Sequence, residues 1–301
     1  MIVLKAEPWL AEVLNRSILV TGAPRSGTSL IGNLLHSCQG VEYLYEPQVV
    51  LPLLPLLGSL DESTWRCLFE TTLVAEGMAD RIAGRSINLN PHDEGFFLNA
   101  KPSSVERWRR SWSRAETTLE CQRRTLVWKS PEAGIWAHDL KRLYPGMRVV
   151  AIWRSEEEVV RSISVKGWLA GSKEARWFHR EEGVPFWWHR RLGIGITKPW
   201  VDLNEQEKAA TLWASIWGGL GEGMYVVLYS ELCGKPQEVF AALTAFLGLV
   251  PGPMTAGLLQ TIRAASTGAM DATEFAEFAA EVKKYFGLSL SRTLKEDLND
   301  K

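Results

Sequence analysis

The stretch Ile18-Leu19-Val20-Thr21-Gly22-Ala23-Pro24-Arg25-Ser26-Gly27-Thr28-Ser29-Leu30 decides how this chain is to be read. A short apolar, β-branched run meets two glycines five residues apart, and two hydroxyl residues then open a pattern with helical spacing. A strand that enters such a loop and leaves it as a helix turns backbone N–H groups toward one point. The helix N-terminus adds partial positive charge there. Thr28 and Ser29 bring hydroxyl donors, and Arg25 brings a planar fork suited to phosphate or sulfate oxygens. The loop predicts an anion site; a plain glycine-rich helix cap is the alternative.

Working outward, five segments read as buried strands: residues 17–21, 41–45, 125–128, 148–153 and 225–229. Helical patterns fall between them at 28–37, 131–143, 156–166, 205–221 and 236–247. Strands alternating with helices predict right-handed crossovers and a doubly wound α/β fold. Its three layers are a mainly five-stranded parallel sheet with helices on both faces. Two stretches break the rhythm. Residues 51–124 look helical with loops near 84–99, and residues 167–203 mix Trp, His, Arg and Gly with little periodicity. Long irregular segments in compact domains are often lids or binding loops. The expectation is one domain over residues 1–301, with both inserts forming an acceptor pocket and lid.

Composition narrows the partners. The chain has 301 residues, a hydrophobic fraction of 46% and a formal net charge of −1, which predicts neither nucleic acid nor an acidic membrane as partner. Any anion site must therefore be built locally. The N-terminus lacks a basic stretch followed by a long apolar run, and the apolar run 49–57 is short and contains Pro52 and Pro55. A soluble, cytoplasmic protein is the expectation; its oligomeric state is not readable. Cys38, Cys67, Cys121 and Cys233 lie far apart without metal-ligand spacing, which reads as reduced, mostly buried thiols. Most of the fourteen tryptophans read as packing, and a minority could line an acceptor pocket.

The anion site differs from a nucleotide triphosphatase loop. The pattern GxxxxGK[ST] needs lysine where Thr28 stands. Phosphoryl transfer also calls for Mg²⁺, usually held by an acid at the end of another strand. Here the strand 148–153 runs into Arg154, and the strand 125–128 runs into Lys129. With Arg25 they make three cations at predicted strand ends, where open α/β sheets bind ligands. No metal is expected. Ser162 follows Arg154 by eight residues, two turns along a predicted helix, so both side chains can converge on one anionic group.

These landmarks resemble the sulfotransferases that use 3′-phosphoadenosine-5′-phosphosulfate (PAPS) as donor. The 5′-phosphosulfate loop of that family is similar to Pro24-Arg25-Ser26-Gly27-Thr28-Ser29, and its 3′-phosphate motif to Arg154 with Ser162. Its adenine-side segment is similar to Tyr229-Ser230-Glu231-Leu232, and its final helix to Ala245-Phe246-Leu247-Gly248-Leu249. The resemblance spans roughly residues 17–250 as ordered landmarks, with the middle insert unmatched. It implies that Pro24, Arg25, Ser26, Gly27, Thr28 and Ser29 hold the phosphosulfate. It also implies that Arg154 and Ser162 hold the 3′-phosphate and that Tyr229 meets adenine. Lys129, with Ser130 beside it, is similar to the family lysine that stabilises the transferring group. Arg263 is similar to a basic C-terminal loop residue that closes over the 3′-phosphate.

The chain also departs from many cytosolic members. Pro131 stands where they carry a histidine base, Arg25 where they carry lysine, and Leu30 where they carry an adenine-stacking Trp. It resembles instead the branch with an Arg-type loop and a carboxylate base after the second strand, which Tyr45-Glu46-Pro47 matches. Glu46 is therefore the candidate base, an ion-paired carboxylate being its alternative role, and His92 ranks second. His36 and His138 read as structural. His179 and His189 fall in the irregular insert. The expected reaction moves a sulfuryl group from PAPS to a hydroxyl or amine of a small acceptor, in the range of secondary metabolites, leaving the 3′,5′-bisphosphate PAP. A P-loop kinase or NTPase and a non-catalytic nucleotide-binding protein are the alternatives.

Overall fold

The computed structural model describes residues 4–90, 92, 96, 110–169, 183–190 and 198–262. The chain begins with helix α1 (Pro8–Asn15) and strand β1 (Ile18–Thr21), then α2 (Thr28–His36) and β2 (Val41–Tyr45). A 3₁₀ helix (Gln48–Leu56), α3 (Glu62–Glu70), a π-helical stretch (Thr71–Ala79), α4 (Asp80–Ile82) and α5 (Arg114–Arg123) follow. Strand β3 (Thr125–Lys129) leads into a second 3₁₀ helix (Glu132–Trp136), α6 (Ala137–Leu143), β4 (Arg148–Trp153) and α7 (Glu156–Lys166). Two short 3₁₀ helices (Trp188–Arg190 and Trp200–Asp202), α8 (Glu205–Gly219), β5 (Tyr225–Leu228), α9 (Tyr229–Gly234), α10 (Pro236–Leu247) and α11 (Thr255–Gln260) make up the remainder.

All five strands are parallel, in the order β2-β3-β1-β4-β5. Sequence-adjacent strands that are not sheet neighbours require crossovers, and these carry the helices that cover the sheet. Each strand is buried on both faces, which is why the strands read as unbroken apolar runs. One face, with Ile18, Val20, Val127, Val150, Ile152 and Val227, packs on Ile31 and Leu34 of α2 and Phe240 and Leu243 of α10. The other, with Leu19, Trp128, Ala151 and Trp153, packs on Trp65 and Phe69 of α3 and Ile216 and Trp217 of α8.

The expected architecture holds, with small shifts at element ends. Residue 17 lies outside β1, Lys129 is the last residue of β3, and Tyr229 begins α9 instead of ending β5. The helix expected over 131–143 is a 3₁₀ turn followed by an α-helix. In the first insert, 51–82 is mostly helical and 83–90 is turn and loop, both as expected, although nine residues adopt the wider π form. Tryptophan is mainly packing: Trp65, Trp128, Trp136, Trp187 and Trp217 are fully buried, and the Trp153 ring lies 4.9 Å from both Trp213 and Trp217. All four cysteines are free, Cys67 partly accessible and the rest buried. No helix among the described residues is long and apolar enough to cross a membrane.

The connections after β1 and β3 leave the sheet toward opposite faces, since α2 joins one core and the 3₁₀ helix after β3 joins the other. Between them, at the carboxyl ends of the strands, a crevice opens. This is where ligands bind in open α/β sheets.

Candidate active site

The loop after β1 is shaped by two close approaches. Gly22 has φ +132°, and a side chain there would lie 2.5 Å from the carbonyl oxygen of Ile152 in β4. Gly27 has φ +91° and caps α2, and a side chain there would lie 2.7 Å from the ring of Tyr229. Only glycine suits these positions. Arg25 sits between them with φ +71°, in the left-handed region that non-glycine residues seldom occupy. Such backbone strain recurs at ligand-binding sites. The first N–H groups of α2 have no partner within the helix and face the loop's concavity. Ser26 Oγ is fully buried and has no hydrogen-bond partner among the described residues.

The side chains around this loop hold one another. Arg154, one residue past β4, donates through Nη1 to the Arg25 carbonyl at 2.9 Å, and its guanidinium lies 4.7 Å from the centre of the Tyr229 ring. Arg25 Nε donates to Ser162 Oγ at 3.2 Å, and the Arg25 guanidinium stands 5.3 Å from the centre of the Trp168 ring. Arg154 and Ser162 thus both contact Arg25, one at its carbonyl and the other at its guanidinium. Trp213 Nε1 donates to the Arg154 carbonyl at 3.0 Å, tying this corner to α8. Burial, and next the neighbouring Cys233, pushes the Tyr229 phenol above its ordinary range, so Tyr229 offers its ring as a neutral surface.

A second assembly lies across β1. Lys129, 3% exposed, ends β3 directly opposite Tyr45 of β2 in the strand register. Its Nζ donates to Glu46 Oε1, to Ser29 Oγ at 3.2 Å, and lies 4.6 Å from the centre of the Tyr45 ring. The Glu46 amide donates to the Lys129 carbonyl at 2.9 Å, and its backbone also has positive φ, +41°. The only two non-glycine residues with positive φ among the described residues are therefore Arg25 and Glu46. Both flank the crevice.

A cleft of about 800 Å³ joins the two assemblies. Pro24, Arg25, Gly27, Thr28, Ser29, Glu46, His92, Lys129, Arg154 and Tyr229 line it, so the structure gathers most of the sequence-derived candidates. Ser26, Ser130 and Ser162 are not among the lining residues; Ser130 is 1% exposed, and its amide donates to the Val20 carbonyl. His92 is exposed at the margin, and its backbone amide donates to Asn90 Oδ1. Arg263 and His179 lie outside the described residues. His36 is buried beside Tyr43, and His138 is exposed away from the cleft. Among the described residues, no group of three or more His, Cys, Asp or Glu is placed to hold a metal ion.

Sequence reading missed several lining residues: Glu132 and an apolar wall of Ile163, Leu169 and Leu212. Leu212 carries no motif, and only the packing of α7 on α8 brings it to the cleft. Glu132 lies three residues past Lys129, inside a segment that reads simply as helix.

Against this geometry, a model described as the sulfotransferase family matches residues 17–250. The chain belongs to the sulfotransferase family. The matched span begins just before β1 and ends just after α10, so it takes in the whole sheet and every cleft-lining loop named above. Solved sulfotransferases show remote likeness. The sulfotransferase domain of the Synechococcus PCC 7002 olefin synthase is 16% identical over 93% of this chain and 90% of its own, with TM-score 0.44. The sulfotransferase domain from the curacin biosynthetic pathway is 16% identical over 93% and 94%, with TM-score 0.43. A Mycobacterium avium sulfotransferase is 14% identical over 94% and 80%, with TM-score 0.39. No curated protein matches the chain in sequence. In this sulfotransferase fold the loop after β1 offers donors and positive charge, and the β2–β3 edge offers a lysine and a carboxylate in contact.

Proposed function

We propose that the chain moves a sulfuryl group from PAPS to a hydroxyl or amine of a small-molecule acceptor, in line and without a metal ion. One observation carries this reading: Lys129 Nζ touches both the carboxylate of Glu46 and the hydroxyl of Ser29 in the anion loop. A proton acceptor and an anion cradle are thereby joined by one cation, which suits transfer between an anionic donor and a nucleophile that must lose a proton.

The residues fit the donor. Ser26 has a buried hydroxyl without a partner among the described residues, and the loop approaches the cleft through Gly27, whose bare Cα the Tyr229 ring covers. Pro24 to Ser29 would hold the 5′-phosphosulfate, Arg154 and Ser162 the 3′-phosphate, and Tyr229 the adenine; Ser130 would brace Lys129. PAPS supplies a sulfuryl group on a phosphate leaving group. Glu46 takes the proton from the attacking hydroxyl or amine. Lys129 and Arg25 offset the negative charge that grows toward the leaving phosphate. His92, at the margin of the same cleft, is the second candidate for the proton. A magnesium-dependent phosphotransferase would need an acid where β3 and β4 end, and Lys129 and Arg154 stand there.

Purified protein supplied with PAPS and a pool of hydroxylated and aminated small molecules should yield products heavier by one sulfuryl group, together with free bisphosphate. Failure to sulfate any member of a broad pool, with no binding of the bisphosphate, would sink the proposal. Bisphosphate binding that is indifferent to Glu46→Gln and never accompanied by transfer would instead mark a non-catalytic binding protein.

A further inference from the structure

Lys129 is 3% exposed, so little water reaches its charge. An ammonium group carries three N–H donors. One goes to Glu46 Oε1 and another to Ser29 Oγ at 3.2 Å. Its remaining partner among the described residues is the face of the Tyr45 ring, centred 4.6 Å from Nζ.

That ring is held in place from the sheet and from α2. The register sets Tyr45 directly opposite Lys129, so the two side chains stand together on one face of the β2–β3 pair. Two residues earlier, Tyr43 meets Tyr45 edge to face, with ring centres 6.5 Å apart and planes 78° apart. Tyr43 is fully buried, and a side chain at Gly32 of α2 would lie 2.1 Å from its hydroxyl oxygen. The packing of α2 thus backs Tyr43, and Tyr43 backs Tyr45.

The proposed transfer changes what surrounds Lys129. Glu46 takes the proton of the acceptor and becomes neutral, while the electron pair of the breaking sulfur–oxygen bond passes to the leaving phosphate. Lys129 then loses the charge of its nearest anion in a site where an uncompensated ammonium is unfavourable. An aromatic ring is neutral throughout, and its attraction for a cation survives protonation of Glu46. We infer that Tyr45 is a positioning residue: its ring holds the Lys129 ammonium in place beside the anion loop while Glu46 passes from carboxylate to carboxylic acid. This rests on the sulfuryl-transfer reading above and adds a residue to its machinery.

A graded series at one position tests it. Tyr45→Phe, which removes only the hydroxyl, is the reference. Phenylalanines with increasing numbers of ring fluorines at position 45 keep nearly the same shape and drain negative charge from the ring face. With saturating PAPS and acceptor, the single-turnover rate should fall stepwise along the series, to on the order of 10-fold below the reference, with bisphosphate Kd little changed. In Lys129→Met the same series should be flat. A flat series with Lys129 present, or an equal fall in Lys129→Met, overturns the inference. So does a change confined to the acceptor KM, which would make Tyr45 a wall of the acceptor pocket. Chemical denaturation reads the contact without donor or turnover. The midpoint should drop along the series with Lys129 present and stay level in Lys129→Met, and equal behaviour in both backgrounds overturns the contact. A wild type that transfers to no acceptor sinks the sulfuryl-transfer reading and this role with it, whereas transfer with a flat series sinks only the role of Tyr45.

Discussion

The two halves of the sheet's carboxyl edge are built on different principles. On the β1, β4 and β5 side, the groups lining the cleft are cations, hydroxyls, a neutral ring and backbone N–H groups, with Glu158 paired to Arg154 at 3.6 Å outside the lining. They fix one another: Arg154 holds the Arg25 carbonyl, Arg25 holds Ser162, and Tyr229 covers both Gly27 and Arg154. On the β2 and β3 side, opposite charges mix, with Glu46 on Lys129 and Glu132 close by in sequence. Holding an anion calls for a fixed field of one sign, and moving a proton calls for acid and base within reach of each other. The bond from Lys129 to Ser29 ties the halves together. If the first half holds the donor and the second moves the proton, as proposed, binding and chemistry should be separable by mutation despite that bond.

The largest expected effect lies on the chemical side. Glu46→Gln should lower kcat by roughly 10²- to 10⁴-fold while changing bisphosphate affinity little, as steady-state rates and calorimetry would show. Lys129→Met should follow, with a loss of about 10²- to 10³-fold in the single-turnover rate. On the binding side, Arg154→Ala should raise the Kd for the bisphosphate about 10- to 100-fold and leave most of kcat at saturating donor. If Glu46→Gln weakened bisphosphate binding as much as Arg154→Ala does, the division would be erased.

Smaller effects sharpen the picture. Gly27→Ala places a methyl group 2.7 Å from the Tyr229 ring at a backbone φ of +91°, and should cost about 1–3 kcal/mol of stability in chemical denaturation. A rise in donor KM should accompany it if the loop belongs to the binding half. Cys121, remote from both halves, serves as control. Burial, and next Glu42, pushes its thiol from 9.0 to about 12. The unfolded chain ionises near pH 9 while the native thiol stays neutral, so this contribution to stability is whole below pH 9 and is lost as pH rises toward 12. Cys121→Ala should decline less steeply across that window, with donor binding untouched.

The sheet was legible because strands buried on both faces must be apolar throughout, and their neighbours in sequence supply turn residues. Tyr229 was harder to place. The β4–β5 pairing ends at Trp153 with Leu228, and once Arg154 leaves the sheet Tyr229 has no strand to pair with, so it starts a helix instead. The anion loop was readable because its chemistry lies in consecutive residues. An ion pair at Glu46 was legible as an alternative, but not that its cation is Lys129, since this depends on the register that sets Tyr45 opposite Lys129, a pairing between strands some eighty residues apart in sequence. Glu132 escaped notice for a finer reason. It opens a short 3₁₀ helix, Glu132–Trp136, inside a segment that reads as one helix, and no motif marks it as a cleft residue.

The tryptophans near the arginines give the molecule an optical property. An indole lies by the guanidinium of Arg25, and another donates its N–H to the carbonyl of Arg154. An anion drawn to either guanidinium changes the electric field across the adjacent ring, and indole emission responds to such fields. Occupancy of the site should therefore be visible as a change in native fluorescence, without any label. Comparing Trp168→Phe with Trp213→Phe would then tell which arginine an incoming molecule has reached.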